Sequence, residues 1–466
     1  MVILHYMFGI PPVRGGGLVR YATDLMVWQK KLGEQVLLLI PGALSMYKNK
    51  NPRICRRKPY QKIPSYEIKN PLPVPMRNGM LASGYYAKSC DGMAYRIFLQ
   101  HVRPSVIHVH TLMGLHREFF AEASKLKIPI VFTTHDYFGI CPTASMLLDG
   151  QVCSDVEWKQ CKQCCQNAYP PARLWLEHSG IYQIYRKNRI LSSFVYHAKG
   201  RILSQVFRKW MASDPEPVRK TTVQEDRASE KEYKRLREFY MEIFGMVSYF
   251  HFNSSLAKKI YESRLGGLTG NVLTVSHSGI RDLRKKRKFQ GRLTLGYLGN
   301  KSVYKGYGSL MQACECLYAS GRKDFEVHLY TGMDNKERKD NYVVTHPYFG
   351  QDELMEVLDC MDVLVVPSQW PETFGMVVLE AVSHGVPVIV SENVGAKEIL
   401  DLYTVKFLVY DGTQKGLEQM LQKAYDDRSI LEQANMSILE MKYDFSYRSH
   451  VKEVLGIYRR LVQIRR

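Results

Sequence analysis

Shortages narrow the possibilities for this chain before any motif is read. It has no uninterrupted apolar run of about 18 residues, so no bilayer-spanning helix is expected. Residues 1–10 are apolar but lack a basic start and a small-residue cleavage site. They read as a first strand, not a signal peptide. Acidic residues are scarce, 45 Asp and Glu against 65 Lys and Arg, which leaves a formal net charge of +20. Such an excess draws polyanions, either nucleic acid or the anionic face of a membrane. No helix-turn-helix, RNA-binding signature or aromatic–basic interleaving accompanies it, so a membrane surface is the expected partner and nucleic acid is not. Ten cysteines in 466 residues do not resemble a small secreted disulfide scaffold.

What is present belongs to a large globular protein. Hydrophobic residues make up 45% and charged residues 24%, a balance that argues against disorder, and the length allows about two to three domains with full cores. Short β-branched runs alternate with helical patterns in two sets. The first comprises residues 2–4, 35–40, 106–110 and 128–133; the second 293–298, 325–329, 362–366 and 386–390. Alternation of this kind implies parallel sheets with helices on both faces. A basic, Gly-flanked join at 276–291 separates the sets, and a last amphipathic helix is expected over 446–464. The organisation predicted is a first domain over 1–276, a second over 277–445, and a terminal helix over 446–466. An elaboration of the first domain covers about 141–247, where no repeat or low-complexity tract is found. Basic clusters at 53–58, 231–237 and 281–288 read as solvated charged faces.

Chemistry concentrates around Glu372 and Glu380. A buried strand ending at Pro367-Ser368 leads through a turn to a helix expected to start near Thr373, and Gly385-Val-Pro387 breaks it before the next strand. Glu372 falls in the loop and Glu380 inside the helix, while the helix start offers unpaired backbone N–H groups to an anion. One acid can hold hydroxyls at one end of an elongated ligand and the other at the far end, with phosphates between. That pattern describes a nucleotide-sugar site. Gly15-Gly16-Gly17 follows a strand and precedes a helix, where glycine lets the backbone approach a diphosphate. Lys305-Gly306 lies just beyond a strand of the second set, and His135 ends the run Ile130–Thr134.

These segments, in their order and spacing, resemble the retaining glycosyltransferases of family 4, whose signature is a Glu, seven residues and a second Glu. The resemblance extends over most of the chain. It implies a GT-B fold, with two doubly wound Rossmann-like parallel-sheet domains facing across a cleft and the C-terminal helix crossing back to the first. It further implies a hexosyltransferase of bacterial surface-polysaccharide type, acting with retention on a saccharide or lipid-linked acceptor. His135, Glu372 and Lys305 take the catalytic positions, and Gly16, Gly17, Asn300, Phe374, Gly375 and Glu380 the donor-binding ones. The implied mechanism is front-face attack, in which the leaving diphosphate accepts the proton of the acceptor hydroxyl; no catalytic metal is expected. The family usually has an arginine where this chain has Asn300, so either Lys301 or Arg14 supplies that charge or the diphosphate is held less tightly.

Two features stand apart. Cys141, Cys153, Cys161 and Cys164 have irregular spacing apart from one Cys-x2-Cys element, and read either as a structural zinc site or as reduced thiols. Residues 201–211 form an amphipathic pattern, read either as a helix docked on its own domain or as an interfacial helix. A cytoplasmic enzyme, peripheral on the inner face of the membrane, is the expected location. Two other readings remain open: a nucleotide-sugar epimerase on the same scaffold, and a zinc-stabilised basic binding protein with a degenerate site.

Overall fold

A computed structural model describes all residues except 45–50, 76–78, 82, 149, 156–157, 180–228, 333–340, 348, 351, 402–407 and 465–466. The expected stretch 201–211 lies outside the described residues. In the first half the strands are β1 (Val2–Tyr6), β2 (Gln35–Pro41), β3 (Arg53–Tyr60), β4 (Ile63–Lys69), β5 (Val106–Val109), β6 (Ile130–Thr133), a small hairpin of β7 (Leu147–Leu148) and β8 (Gln151–Val152), β9 (Tyr249–Phe252) and β10 (Gly270–Val272). Eight of them form one sheet in the order β10-β9-β6-β5-β1-β2-β4-β3, parallel except for the pairing of β3 with β4. In the second half, β11 (Leu293–Leu298), β12 (Phe325–Tyr330), β13 (Val343–His346), β14 (Val363–Val366), β15 (Val388–Ser391) and β16 (Val409–Tyr410) form a parallel sheet in the order β13-β12-β11-β14-β15-β16. The two parallel sheets are those the strand–helix alternation implied, and two such doubly wound domains make the GT-B architecture expected from the family resemblance.

Residues alternate between the faces of a strand, and the first sheet uses its two faces differently. Leu4, Tyr6, Ile107, Val109, Ile130, Phe132, Phe250 and Phe252 join one apolar core. On the other face, toward the helices Gly17–Lys31 and Tyr447–Ile464, stand His5, His108, Thr133 and His251, each with no exposed surface. The described parts of 141–179 and 229–247 pack into the same core as the first sheet, through Met146, Trp158, Cys161, Tyr233 and Tyr240.

The helix Tyr447–Ile464 returns to the first sheet. Tyr458 bonds to His108 (2.5 Å) and His450 to Tyr21 (3.1 Å), while Trp28 meets Tyr447 edge-on. The basic stretch 281–288 is not simply a solvated face. Arg284 and Arg287 are largely buried and donate to the carbonyls of Ile438, Met441, Leu358 and Met361, closing helix ends with unpaired oxygens. In residues 231–237, by contrast, Lys231, Lys234 and Arg235 lie on the exposed side of the helix Glu230–Gly245.

Candidate active site in the interdomain cleft

Five segments bring the site together: the loop after β1, the carboxyl ends of β6 and β9, the turn after β11 that carries Lys305, and the turn after β14. The Gly-rich loop ends in the helix Gly17–Lys31, with Gly16 at φ 98° as the residue before it. That conformation is open to glycine and strained for other residues. Gly17 lies against Met376, the first residue of the helix Met376–Ser383, so the loop of one domain meets the helix start of the other. The helix begins three residues later than Thr373 suggested. Gly375 holds φ 97°, and a Cβ there would stand 2.7 Å from Val394, so the chain turns left-handed before the helix can form.

A cavity of about 320 Å³ sits at this junction, lined in part by Gly17, His135, Asn253, Lys305, Trp370 and Glu372. Lys305 closes a short turn, Val303–Lys305, and a Cβ on the following Gly306 would strike the Pro367 carbonyl at 1.8 Å. Glycine therefore lets that turn press onto the end of β14. The Lys305 ammonium pairs with Glu372 Oε1, and the Ser368 hydroxyl donates to Oε2 at 2.8 Å. The ammonium also lies 5.7 Å from the centre of the Trp370 ring. Its position is thus fixed by an anion and an aromatic face.

Cross-domain hydrogen bonds hold the walls. Thr373 Oγ1 donates to the His135 carbonyl (2.9 Å), Ser254 Oγ to the Thr373 carbonyl (2.7 Å), and the Ser255 amide to Glu398 (2.8 Å). Burial lowers His135 well below the usual histidine range, so the ring is neutral near pH 7, and burial raises Asp136 to about 6.

Of the residues singled out from sequence, His135, Lys305, Glu372, Gly17, Phe374 and Gly375 line the cavity, whereas Gly16, Asn300 and Glu380 do not. Asn300 is exposed, and its carbonyl accepts from Tyr297 (2.8 Å). Glu380 is buried, and its Oε1 takes both Arg20 of the first domain (3.1 Å) and His277 (2.9 Å). Lys301 lies over the Tyr307 ring at 5.4 Å. His108 and His110 sit inside the first domain and not on the cavity wall. Asn253, Arg20, Trp370 and His277 were not picked out; Asn253 follows a strand end just as His135 does, and that position was the available signal.

The cysteines carry free thiols. Burial raises Cys153 and Cys161 above the ordinary thiol range. Among the described residues, the group of three or more potential ligands with atoms within 4.8 Å of one another is His5, His108 and His110, not Cys141, Cys153, Cys161 and Cys164. No described helix is long and apolar enough to cross a membrane.

Residues 280–438 match the family model Glycosyl transferases group 1, and residues 15–176 match Glycosyltransferase Family 4. Comparison with curated proteins gives no match. Solved structures similar to the chain include a sucrose-phosphate synthase from Thermosynechococcus elongatus, at 12% identity, 99% of each chain and TM-score 0.55. A glycosyltransferase from Rickettsia africae aligns at 11% identity over 99% of this chain and 98% of its own, with TM-score 0.54. Anabaena HepE in complex with UDP aligns at 12% identity over 99% and 100%, with TM-score 0.54. At such identities the structural likeness is one of fold. With that fold, and with a glycosyltransferase family matched in each half, the chain is a GT-B glycosyltransferase.

Proposed function

We propose that this chain moves a sugar from a nucleoside diphosphate sugar to a hydroxyl of a saccharide or lipid-linked acceptor, with retention at the anomeric carbon. The observation that carries the reading is the fixed Lys305–Glu372 pair in the cavity between the sheets, whose wall also includes His135. Lys305 would neutralise the departing diphosphate, a charge that grows in the transition state, together with the backbone N–H groups at Phe374–Met376. Glu372 would hold sugar hydroxyls. Retaining glycosidases use two carboxyl groups roughly 5 Å apart. Here the second acid, Glu380, is tied to Arg20 and His277 and stands outside the cavity. That arrangement supports front-face transfer, with the diphosphate taking the acceptor proton. The Anabaena protein solved with UDP supports a nucleoside diphosphate in the cleft.

A thermal-shift panel of nucleoside diphosphate sugars tests the donor, since a ligand at a hundredfold its Kd stabilises by about 2.7 kcal/mol. Lys305→Ala should lower kcat roughly 10²-fold with little change in nucleotide affinity. Wild-type turnover in that variant would refute the assignment. Peripheral attachment to an anionic membrane is part of the same proposal, supported by the exposed Arg53, Arg56 and Lys58 of β3. Vesicle binding should rise with anionic lipid and fall with salt. A zinc ion on Cys141, Cys153, Cys161 and Cys164 would have to draw those sulfurs together, and elemental analysis of the purified protein decides it.

A further inference from the structure

A row of buried hydrogen bonds runs from the cavity wall into the first sheet, and its direction can be worked out link by link. At the inner end the Leu273 carbonyl can only accept, so His251 carries its proton on Nε2 (2.7 Å). Neutral His251 then accepts at Nδ1 from the Thr133 hydroxyl (3.1 Å). A hydroxyl has one hydrogen, so Thr133 in turn accepts from His108 Nε2–H (2.6 Å). His108 Nδ1 accepts from the Tyr458 hydroxyl (2.5 Å), whose oxygen accepts from the Gln29 amide nitrogen (3.3 Å). That turns Gln29 Oε1 toward His5 Nε2–H (2.7 Å). His5 Nδ1 accepts from His110 Nε2–H (3.0 Å), and His110 Nδ1 from His135 Nε2–H (3.3 Å). His135 Nδ1 is left to accept from the Asn253 amide nitrogen, at a longer 3.5 Å. Neutral rings are what burial imposes: His5 and His251 fall to about 4, and His108, His110 and His135 lie well below their ordinary range.

Each link leaves one choice for the next, so a backbone carbonyl at one end sets the orientation of an amide at the other. Asn253 is 2% exposed, lines the cavity, and its Oδ1 has no hydrogen-bond partner among the described residues. A buried acceptor left without a donor at a cavity wall calls for one from whatever fills the cavity. Turning the amide over would set Oδ1 against the His135 Nδ1 lone pair. Relief would require inverting every link down to a carbonyl that cannot donate.

We propose that Asn253 is a substrate-contacting residue, its Oδ1 accepting from a hydroxyl or amide N–H of the sugar. Leu273, His251, Thr133, His108, Tyr458, Gln29, His5, His110 and His135 are the positioning residues that hold the amide in that sense. The substrate contact rests on the glycosyl-transfer reading of the cleft; the polarity of the chain does not. The triplet His5, His108 and His110 is part of this chain and not a metal site, because all six ring nitrogens already have partners.

Selective ¹⁵N-histidine labelling, with the resonance assigned through His135→Asn, reads the tautomers of the unliganded protein without any assay. His135 should carry its proton on Nε2. A proton on Nδ1, or a charged ring near neutral pH, overturns the chain. Tyr458→Phe and Thr133→Val each delete one link and should leave His135 as a mixture of tautomers. Tyr21→Phe removes an equally buried hydroxyl, bonded to His450 and outside the chain, and should leave His135 unchanged. Asn253→Asp, whose carboxylate only accepts, should add a proton at His135 Nδ1 while Nε2–H still serves His110, so that in this variant the ring reads as charged. In the transfer reaction Asn253→Ala should lower kcat/KM about tenfold and abolish the preference for the cognate sugar over an analogue lacking the bonded hydroxyl. An active wild type whose Asn253→Ala variant is unimpaired overturns the substrate contact. A wild type that transfers no sugar overturns the functional reading instead, and the tautomer measurement still decides the chain.

Discussion

Beneath the helix Gly17–Lys31, the centre of the first sheet is filled by His5, His108, Thr133 and His251; at the centre of the second stand Leu295, Leu364, Val365 and Ile389, all buried. Both interiors exclude water, yet by different means. The apolar sheet gains its stability from transfer out of water and from dense packing, neither of which depends on protonation. The polar face holds together through directed bonds among neutral rings, and any ring that gains a proton loses an acceptor. The difference teaches that one chain can carry a hydrophobic scaffold in one sheet and a titratable scaffold in the other.

The largest expected consequence is a pH dependence concentrated in the first sheet, where five buried strand and strand-end histidines are lowered against the partly buried His346 of the second. Histidines in the unfolded chain take up protons near their ordinary value of 6.5, whereas folded His5 and His251 do so only near 4 and His450 near 3. Stability contributed by the neutral rings is therefore complete above pH 6.5 and is lost as pH falls toward 4. Each ring contributes a slope of about 1.4 kcal/mol per pH unit in that window. Denaturation at pH 7.5 and 5.0, with hydrogen exchange to locate the change, should show β1, β5 and β9 opening first. Equal losses in both sheets would break the comparison.

Next in size is Ile389→Ala in the second sheet, where a fully buried side chain leaves a cavity costing roughly 2–5 kcal/mol. That loss should be the same at pH 7.5 and 5.0, in contrast to the acid effect on the first sheet. A smaller pair sharpens the contrast at the helix starts. Ser254 caps the helix Ser255–Leu265 and also donates across the cleft to Thr373, whereas Thr413 caps the helix Gln414–Asp426 within one domain. Ser254→Ala should cost about 2 kcal/mol and Thr413→Ala about 1 kcal/mol. Equal melting shifts would mean that the Ser254 contact across the cleft adds nothing.

The parts of the fold legible in the sequence were those with ordinary apolar periodicity. The runs that became β1, β2, β5 and β6, and β11, β12, β14 and β15, were visible because aliphatic and aromatic residues recur through them. β3 was hidden because Arg53, Arg56 and Lys58 are exposed on this edge strand and made it resemble a charge cluster. β9 reads Tyr-Phe-His-Phe, and its histidine obscured a buried strand. In the second sheet, β13 and β16 are short edge strands with little signal. For the site, the pattern around Glu372 showed where the loop and helix would fall. It did not show that Glu380 would face Arg20, 360 positions away. Contacts between distant segments leave no local period to read. The same reason hid Asn253, whose importance depends on a hydrogen bond to His135 and on the links beyond it.

The helix Tyr447–Ile464 carries a consequence for the order of assembly. A ribosome makes β1, β5, β6 and β9 long before Tyr458 and His450. Until that helix docks, His108 Nδ1 lacks its hydroxyl donor, Gln29 lacks its phenol acceptor and the Tyr21 hydroxyl lacks its ring nitrogen. The earliest-made domain is therefore the last to be completed. A nascent chain halted before residue 447 should hold a first sheet that is open on its polar face, binds chaperones and exchanges its amides quickly, while release of the final 18-residue helix seals it in a single late step.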